Sequence, residues 1–158
     1  MPARPASPPC RPCPPLQQAP TLTIADTDLV QKLNEMDLTR IALAKIAQTN
    51  AARSDIATLG ATMVKDLTGN QDKLAKLVSA HAITLAPKPS AANQKIIDRM
   101  QHLHGASFDR AYIRYLWRDD ARMKPILESG IAGSKNADLT KLATDTQTLL
   151  AAYEAQLK

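Results

Sequence analysis

Aromatic residues, glycine and cysteine are all scarce in this chain of 158 residues. Aromatic residues make up 3%, and there are five Gly and two Cys. Sandwiches and barrels of β-strands depend on aromatic and β-branched residues and on glycine-rich turns, so this composition argues against them. Two cysteines cannot build a disulfide framework. No apolar run approaches the roughly 18 residues of a membrane-crossing helix, so the sequence predicts no transmembrane span.

A length of 158 residues suits one domain. The net positive charge of the chain is small. Twenty Lys and Arg residues oppose fifteen Asp and Glu residues, for a formal charge of +5. Arg4 and Arg11 carry +2 of this charge and no acidic residue accompanies them in the first twenty residues, which leaves +3 on the rest. Nucleic-acid binding needs basic residues concentrated on one face, so we expect no nucleic-acid partner.

The N-terminal segment is proline-rich. Residues 1–20 hold eight of the eleven prolines, a composition that is typical of disordered or polyproline-II-like chain. We therefore predict a disordered tail over residues 1–25 and a helical domain over residues 26–158. The tail lacks the apolar stretch of a secretory signal.

A C-x-x-C pair lies in this tail, at Cys10 and Cys13. In a redox enzyme such a pair opens a helix, whose N-terminus lowers the pKa of a thiol. Pro12, Pro14 and Pro15 are incompatible with a regular helix there. We interpret the two cysteines as incidental to function.

Apolar residues recur with a helical period from Asp28 to the C-terminus. The pattern predicts five helical segments, about Asp28 to Thr49, Ser54 to His81, Ser90 to Gly105, Ser107 to Ser129, and Asn136 onward. Four long amphipathic helices joined by short connections favour an all-α, antiparallel four-helix bundle. The short third helix would then lie in the crossover between helices two and four.

Capping residues and prolines set the predicted limits of the middle helices. Ser90 and Ser107 are expected to cap the third and fourth segments, and Gly105 to end the third. Pro125 lies inside the fourth segment and removes a backbone hydrogen bond, so we predict a bend near Ala121.

A stripe of arginines with i+4 spacing follows one side of the fourth helix, at Arg110, Arg114, Arg118 and Arg122. One interpretation is a contact site for an anion, such as a phosphate, a glycan or acidic lipid head groups. The alternative is a solvated helix face whose charge Asp119 and nearby acidic residues relieve. Like charges one turn apart repel each other by a few tenths of a kcal/mol.

Four of the five aromatic residues lie on this same helix, at Phe108, Tyr112, Tyr115 and Trp117. We predict that they anchor the core. The alternative is that Tyr115 or Trp117 lies at the rim of a partner or membrane surface.

Metal-binding residues are few. Di-iron bundles use Glu residues and Glu-x-x-His motifs, but none of Glu35, Glu128 and Glu154 precedes a His by three residues. His102 and His104 point in different directions at a helix end, with no third ligand beside them. A metal-dependent alternative would have to use Asp37, Asp66, Asp119 and Asp120, and carboxylates alone suit Mg or Mn. We expect no metal, no cofactor and no catalytic residue.

Two motifs resemble those of a known bacterial family. Ala61 to Asp66, with Asn70 and Leu74, is similar to the end of its second helix, and Gly105 to Tyr112 is similar to its most recognisable motif. That domain-of-unknown-function family contains exported ferritin-like four-helix bundles, often labelled "putative outer membrane protein". The resemblance implies a ferritin-like fold and a periplasmic or envelope location, while the chain's own N-terminus leaves the cytoplasm open.

The family's usual histidine positions are not retained. Leu67 and Asp120 stand where most relatives carry His, Arg40 stands where a Glu is common, and a further His position falls near Ala152. The resemblance therefore implies that any metal-binding positions of relatives are lost here.

Together these patterns favour a non-enzymatic envelope protein that acts by surface binding, with an anionic envelope component or a protein as its partner. Two alternatives stay open: a ferritin-like metal-binding, redox or storage protein, and a structural or stress-associated bundle without a ligand.

Overall fold

The computed structural model describes residues 22–157, and that part of the chain is helical without strands. Its elements are α1 (Ile24–Asn50), α2 (Ser54–Ser79), α3 (Ala91–Gln101), α4 (Gly105–Gly133) and α5 (Ala137–Gln156). This confirms the prediction of an all-α helical bundle. Cys10 and Cys13 lie outside the described residues, so their interpretation stays a prediction.

The four long helices pack so that neighbours run antiparallel. Short connections join α1 to α2 over residues 51–53 and α4 to α5 over residues 134–136. A long connection over residues 80–104 joins α2 to α4 and contains α3. One long crossover is the connectivity of ferritin-like bundles, and a relation to that fold stays a prediction.

The crossover returns the chain along α1. Near its beginning, the Gln31 side chain of α1 donates a hydrogen bond to the Thr84 carbonyl, with a distance of 2.9 Å. Near its end, the Asn50 side chain donates to the Leu103 carbonyl, also at 2.9 Å. Since Gln31 and Asn50 lie toward opposite ends of α1, the crossover spans the bundle and brings the start of α4 beside the start of α2.

Within the apolar core, α1 and α2 approach each other closely at Gly60. Gly60 faces Ala44 and Ala47, and a Cβ atom at Gly60 would lie 2.7 Å from the Ala44 carbonyl oxygen. The absence of a side chain at this position therefore allows the two helix backbones to approach each other. The same core buries Phe108 and Tyr112 of α4, whose rings stack with their centroids 5.3 Å apart.

The predicted start of α4 was wrong by two residues. Ser107 does not cap the helix, which begins at Gly105 after the N-cap residue His104. Gly105 does not end α3 either, because α3 already ends at its C-cap residue His102. Gly105 has a φ of +62°, in the left-handed region that favours glycine, and so turns the chain into α4.

Other predicted helix features have mixed outcomes. Ser90 caps α3 by accepting from the Asn93 amide, as predicted. The far end of α4 was placed too early, because the helix continues beyond Ser129 to Gly133. Pro125 lies within this helix, and the bend near Ala121 stays a prediction.

Candidate functional site

A buried arginine lies at the centre of the bundle. The Arg40 side chain on α1 has no solvent exposure. Its Nε donates a hydrogen bond to Asp119 Oδ2 at 2.9 Å, and one Nη donates to Asp120 Oδ1. Both carboxylates belong to α4, so a buried ion-pair cluster of Arg40, Asp119 and Asp120 joins the first and fourth helices.

The cluster keeps its arginine charged. Burial opposes the positive charge of Arg40, but the charges and hydrogen bonds of Asp119 and Asp120 outweigh it and raise the pKa of Arg40. The pKa of Asp120 is raised, mainly by burial and further by the charges of Asp119 and Glu154, although Arg40 lowers it. A permanently charged guanidinium therefore occupies the space between these two α4 side chains.

Arg122 connects this cluster to the surface. Its Nε and one Nη donate to Asp119 Oδ1 at 3.2 and 2.8 Å, whereas Arg40 binds the other oxygen of the same carboxylate. The Arg122 side chain is half exposed and that of Asp119 is only 3% exposed. Asp119 therefore lies between an inner and an outer arginine.

A third carboxyl group, Asp37, lies one turn before Arg40 on α1. Asp37 is 1% exposed, and its Oδ1 atom and one Nη atom of Arg40 have no hydrogen-bond partner within residues 22–157. Burial raises the pKa of Asp37 to about 8, although Arg40 and a hydrogen bond from Asn70 lower it. Asp37 is therefore largely protonated at neutral pH.

The charges of the buried centre then balance. Arg40 and Arg122 are positive, Asp119 and Asp120 are negative, and Asp37 is neutral below its raised pKa. Burial removes water from an ionised Asp37, and this desolvation is the largest cause of its raised pKa.

Two further hydrogen bonds extend the polar centre across α2 and α5. The Asn70 side chain of α2 donates to Thr146 Oγ1 of α5 at 2.9 Å. Tyr153 of α5 donates through its hydroxyl to Asp66 Oδ2 of α2, also at 2.9 Å. The ion-pair cluster thus joins α1 to α4, and these two bonds join α2 to α5.

The four candidate metal ligands are not brought together as a metal site. Asp119 and Asp120 bind Arg40, Asp66 accepts from Tyr153, and Asp37 lies beside Asn70. Within residues 22–157 there is no group of three or more His, Cys, Asp or Glu side chains that could hold a metal ion. The carboxylates of the centre are instead bound by groups of the protein itself.

The four positions that the family resemblance singles out, Arg40, Leu67, Asp120 and Ala152, have different surroundings. Arg40 and Asp120 are in direct contact and form one ion pair. Leu67 is fully buried in the core. Ala152, by contrast, is exposed, and the neighbouring Tyr153 faces the centre. A buried ion pair and an apolar side chain thus occupy three of these positions.

The arginine stripe of α4 lies on the surface, as both of its interpretations require. Arg122 is bound to Asp119, as expected for a solvated helix face whose charge acidic residues relieve. Arg110, Arg114 and Arg118 are exposed and form no ion pair with any residue between 22 and 157. In the described part of the chain, Arg122 is thus the one arginine of the four whose positive charge is paired with an acidic side chain.

The aromatic residues of α4 divide between core and surface. Phe108 and Tyr112 are fully buried, as predicted, and Tyr115 is half-buried. Trp117 is 49% exposed, so the prediction that it anchors the core was wrong. It lies seven residues after Arg110, which is nearly two helical turns and places both on one side of α4.

The histidines do not form a ligand cluster. His102 and His104 are exposed around the start of α4. His81 is half-buried after α2, and its Nε2 lies 3.5 Å from the side-chain nitrogen of Asn136. These positions give no support to a metal role for the H-x-H motif.

Sequence reasoning did not predict Arg40, Asn70 or Thr146 as members of a buried polar centre. For Arg40 a signal was present, because it lies four residues after Met36 and four before Ala44, on the buried side of α1. An arginine at such a position requires buried partners. No comparable signal identifies Asn70 and Thr146, whose pairing depends on how α2 and α5 are aligned.

Within residues 22–157, no helix has both the length and the hydrophobicity needed to cross a membrane.

Comparisons with known proteins support the family resemblance. Searches of curated proteins and of solved structures gave no match. One family, described as "Domain of unknown function (DUF4142)", matches residues 11–158. Since this match covers almost the whole sequence, the chain belongs to that family.

Proposed function

We propose that this protein is a non-catalytic helical bundle of the cell envelope that acts through binding at its surface. One observation carries the proposal: a fully buried Arg40 guanidinium is bound by both Asp119 and Asp120 at the centre of the bundle. Helical bundles that bind metals or cofactors do so with inward-facing side chains of this central region.

The charge of Arg40 opposes any cation at this centre. A metal ion close to the guanidinium would be repelled strongly, since screening by water is weak in a buried region. The two carboxylates that could ligate it would first have to release Arg40. Breaking a buried ion pair by removing one partner typically costs about 3–5 kcal/mol.

Burial also argues against a substrate site at the centre. Arg40 is fully buried and the side chain of Asp119 is 3% exposed, so neither side chain presents surface to a reactant in this conformation. The exposed surface is therefore the part of the protein that is available to a partner. The envelope location rests on the family resemblance, and fractionation of cells that express the native gene would test it.

Metal retention tests the non-catalytic part of the proposal. The purified protein would be incubated with Fe(II), Mn(II), Zn(II) or Cu(II), desalted, and analysed by elemental mass spectrometry. We expect far less than one metal ion per chain in every case, because the central carboxylates remain bound to Arg40.

Two variants locate any metal that is retained. Asp120→Ala removes a carboxylate of the centre, whereas Asp145→Ala removes one on the outer side of α5 and serves as the control. A wild-type protein that retains about one metal ion per chain, with the metal lost in Asp120→Ala and kept in Asp145→Ala, would contradict the proposal.

A further inference from the structure

We infer that the outer face of α4 docks on an anionic bilayer surface through Arg110, Arg114, Trp117 and Arg118. These four residues are called the cationic face below. The inference deepens the proposed function, on which it rests, by naming the partner.

The charges of α4 are sorted between its two sides. Asp109 and Asp119 are buried, and Asp120 is half-buried against Arg40. Asp109 accepts hydrogen bonds from the backbone amides of Ala52 and Arg53, both at 3.1 Å, and so holds the start of α2. Three of the four acidic residues of α4 are therefore engaged inside the bundle.

The basic residues of α4 point the other way. Arg110, Arg114, Arg118 and Lys124 are all exposed, and Glu128 is the exposed acidic residue near the end of the helix. The helix as a whole has nearly balanced charge, but its outer side is strongly positive. This segregation requires the fold, because the sequence alone places Asp119 and Asp120 beside the arginines.

The spacing of the cationic face suits an extended partner. Arg110, Arg114 and Arg118 follow one another at intervals of about 6 Å and span about 12 Å along the helix. They lie on the outer, convex side of a helix, where a small anion could be surrounded by few of them at once. A plane of negative charges contacts all three together and also relieves their mutual repulsion.

Trp117 adds the apolar part of the contact. Its side chain is 49% exposed beside the arginines, whereas Phe108 and Tyr112 of α4 are fully buried and Tyr115 is half-buried. Tryptophan is enriched at the headgroup level of membranes, where its ring is partly apolar and its N–H reaches polar groups. A basic face with an exposed tryptophan beside its arginines thus matches the charge and the polarity of an anionic bilayer surface.

Vesicle binding tests this inference, and Trp117 reports on it directly as the single tryptophan of the chain. The protein would be titrated with vesicles of phosphatidylethanolamine and phosphatidylglycerol in equal parts, and with phosphatidylcholine vesicles. We expect co-sedimentation with the anionic vesicles only, accompanied by a blue shift of the Trp117 emission and weakened by salt.

Matched variants separate the face from the overall charge. The triple variant Arg110→Gln, Arg114→Gln, Arg118→Gln should bind the anionic vesicles about 100-fold more weakly, at roughly fivefold per arginine. The control Lys65→Gln, Lys76→Gln, Lys141→Gln removes the same charge from exposed positions on α2 and α5, and should change binding less than about threefold. Arg114→Glu with Arg118→Glu should abolish binding, and circular dichroism would establish that each variant is folded.

Several results would overturn the inference. These are no binding of the wild-type protein to anionic vesicles, equal losses in the two triple variants, and binding without a change in Trp117 emission. Tight binding of polyglutamate or duplex DNA to the same face, without vesicle binding, would replace the lipid by an acidic macromolecule. Each of these can occur while the protein still retains no metal, so failure here is distinct from failure of the proposed function.

Discussion

At the scale of single residues, Arg40 has the largest influence on this protein. It donates to two carboxylates of another helix and has no solvent exposure. Desolvation of its charge is costly and is compensated only while both partners are present. The neighbouring Asp37, whose pKa burial raises to about 8, stays largely protonated at neutral pH and adds no further charge to this centre.

Loss of Arg40 should destabilise the fold strongly. Arg40→Met would leave Asp119 and Asp120 without their buried partner, and we expect the free energy of unfolding to fall by about 3–5 kcal/mol. Urea denaturation measures this change. The control is Arg53→Met, which removes a solvent-exposed ion pair with Asp55 and should cost much less. Equal costs in the two variants would mean that Arg40 is not a buried partner.

Asp37 should give the protein a pH-dependent stability. Its pKa is about 8 in the folded protein, against 3.8 for the ordinary side chain. Between these values the folded state holds a proton that the unfolded state releases, so this contribution to stability is lost as the pH rises toward 8. Asp37→Asn cannot ionise and should be more stable than the wild type by several kcal/mol at pH 8, with a much smaller difference near pH 4.

Urea denaturation at several pH values measures this difference, and Asp72→Asn is the control because its carboxyl is exposed on α2. A constant difference between Asp37→Asn and the wild type across the pH range would show that Asp37 is not buried as described.

At the scale of helices, local signals determined most of the elements but not all of their limits. Ser90 and Asn136 cap α3 and α5 through their own side chains, which the sequence pattern predicts well. The start of α4 was mispredicted because Gly105, with a φ of +62°, turns the chain directly into α4, two residues before the expected cap Ser107.

The contact between α1 and α2 depends on Gly60. In Gly60→Ala the added methyl group would meet the Ala44 carbonyl oxygen of α1, so the helices would have to separate. We expect a net loss of about 1–3 kcal/mol, even though alanine favours helix. Gly69→Ala on the same helix is the matched control, since nothing lies within 4 Å of its Cβ position, and it should stabilise the protein by up to about 1 kcal/mol. Thermal unfolding of both variants compares them, and a stabilised Gly60→Ala would contradict this packing.

At the scale of the whole molecule, the sequence was sufficient to predict a four-helix arrangement with a short helix in the crossover. Apolar periodicity and short connections determine that much. The sorting of charge between the centre and the outer face of α4 could not be predicted, because it depends on how α4 is rotated against α1. Arg40 shows the difficulty: its position on the buried side of α1 can be read locally, but its partners lie 79 and 80 residues away.

The protection of the Arg40 Nε–H group tests most directly whether the centre of the bundle is closed by an internal ion pair. Hydrogen exchange of arginine Nε–H signals can be followed by NMR after transfer to D₂O, with the Arg40→Lys variant assigning the signal. We predict that the Arg40 signal persists as long as the slowest backbone amides, while those of Arg110, Arg114 and Arg118 exchange at once. An Arg40 signal that disappears together with those of the exposed arginines would contradict a closed centre and reopen it as a site for metals or substrates.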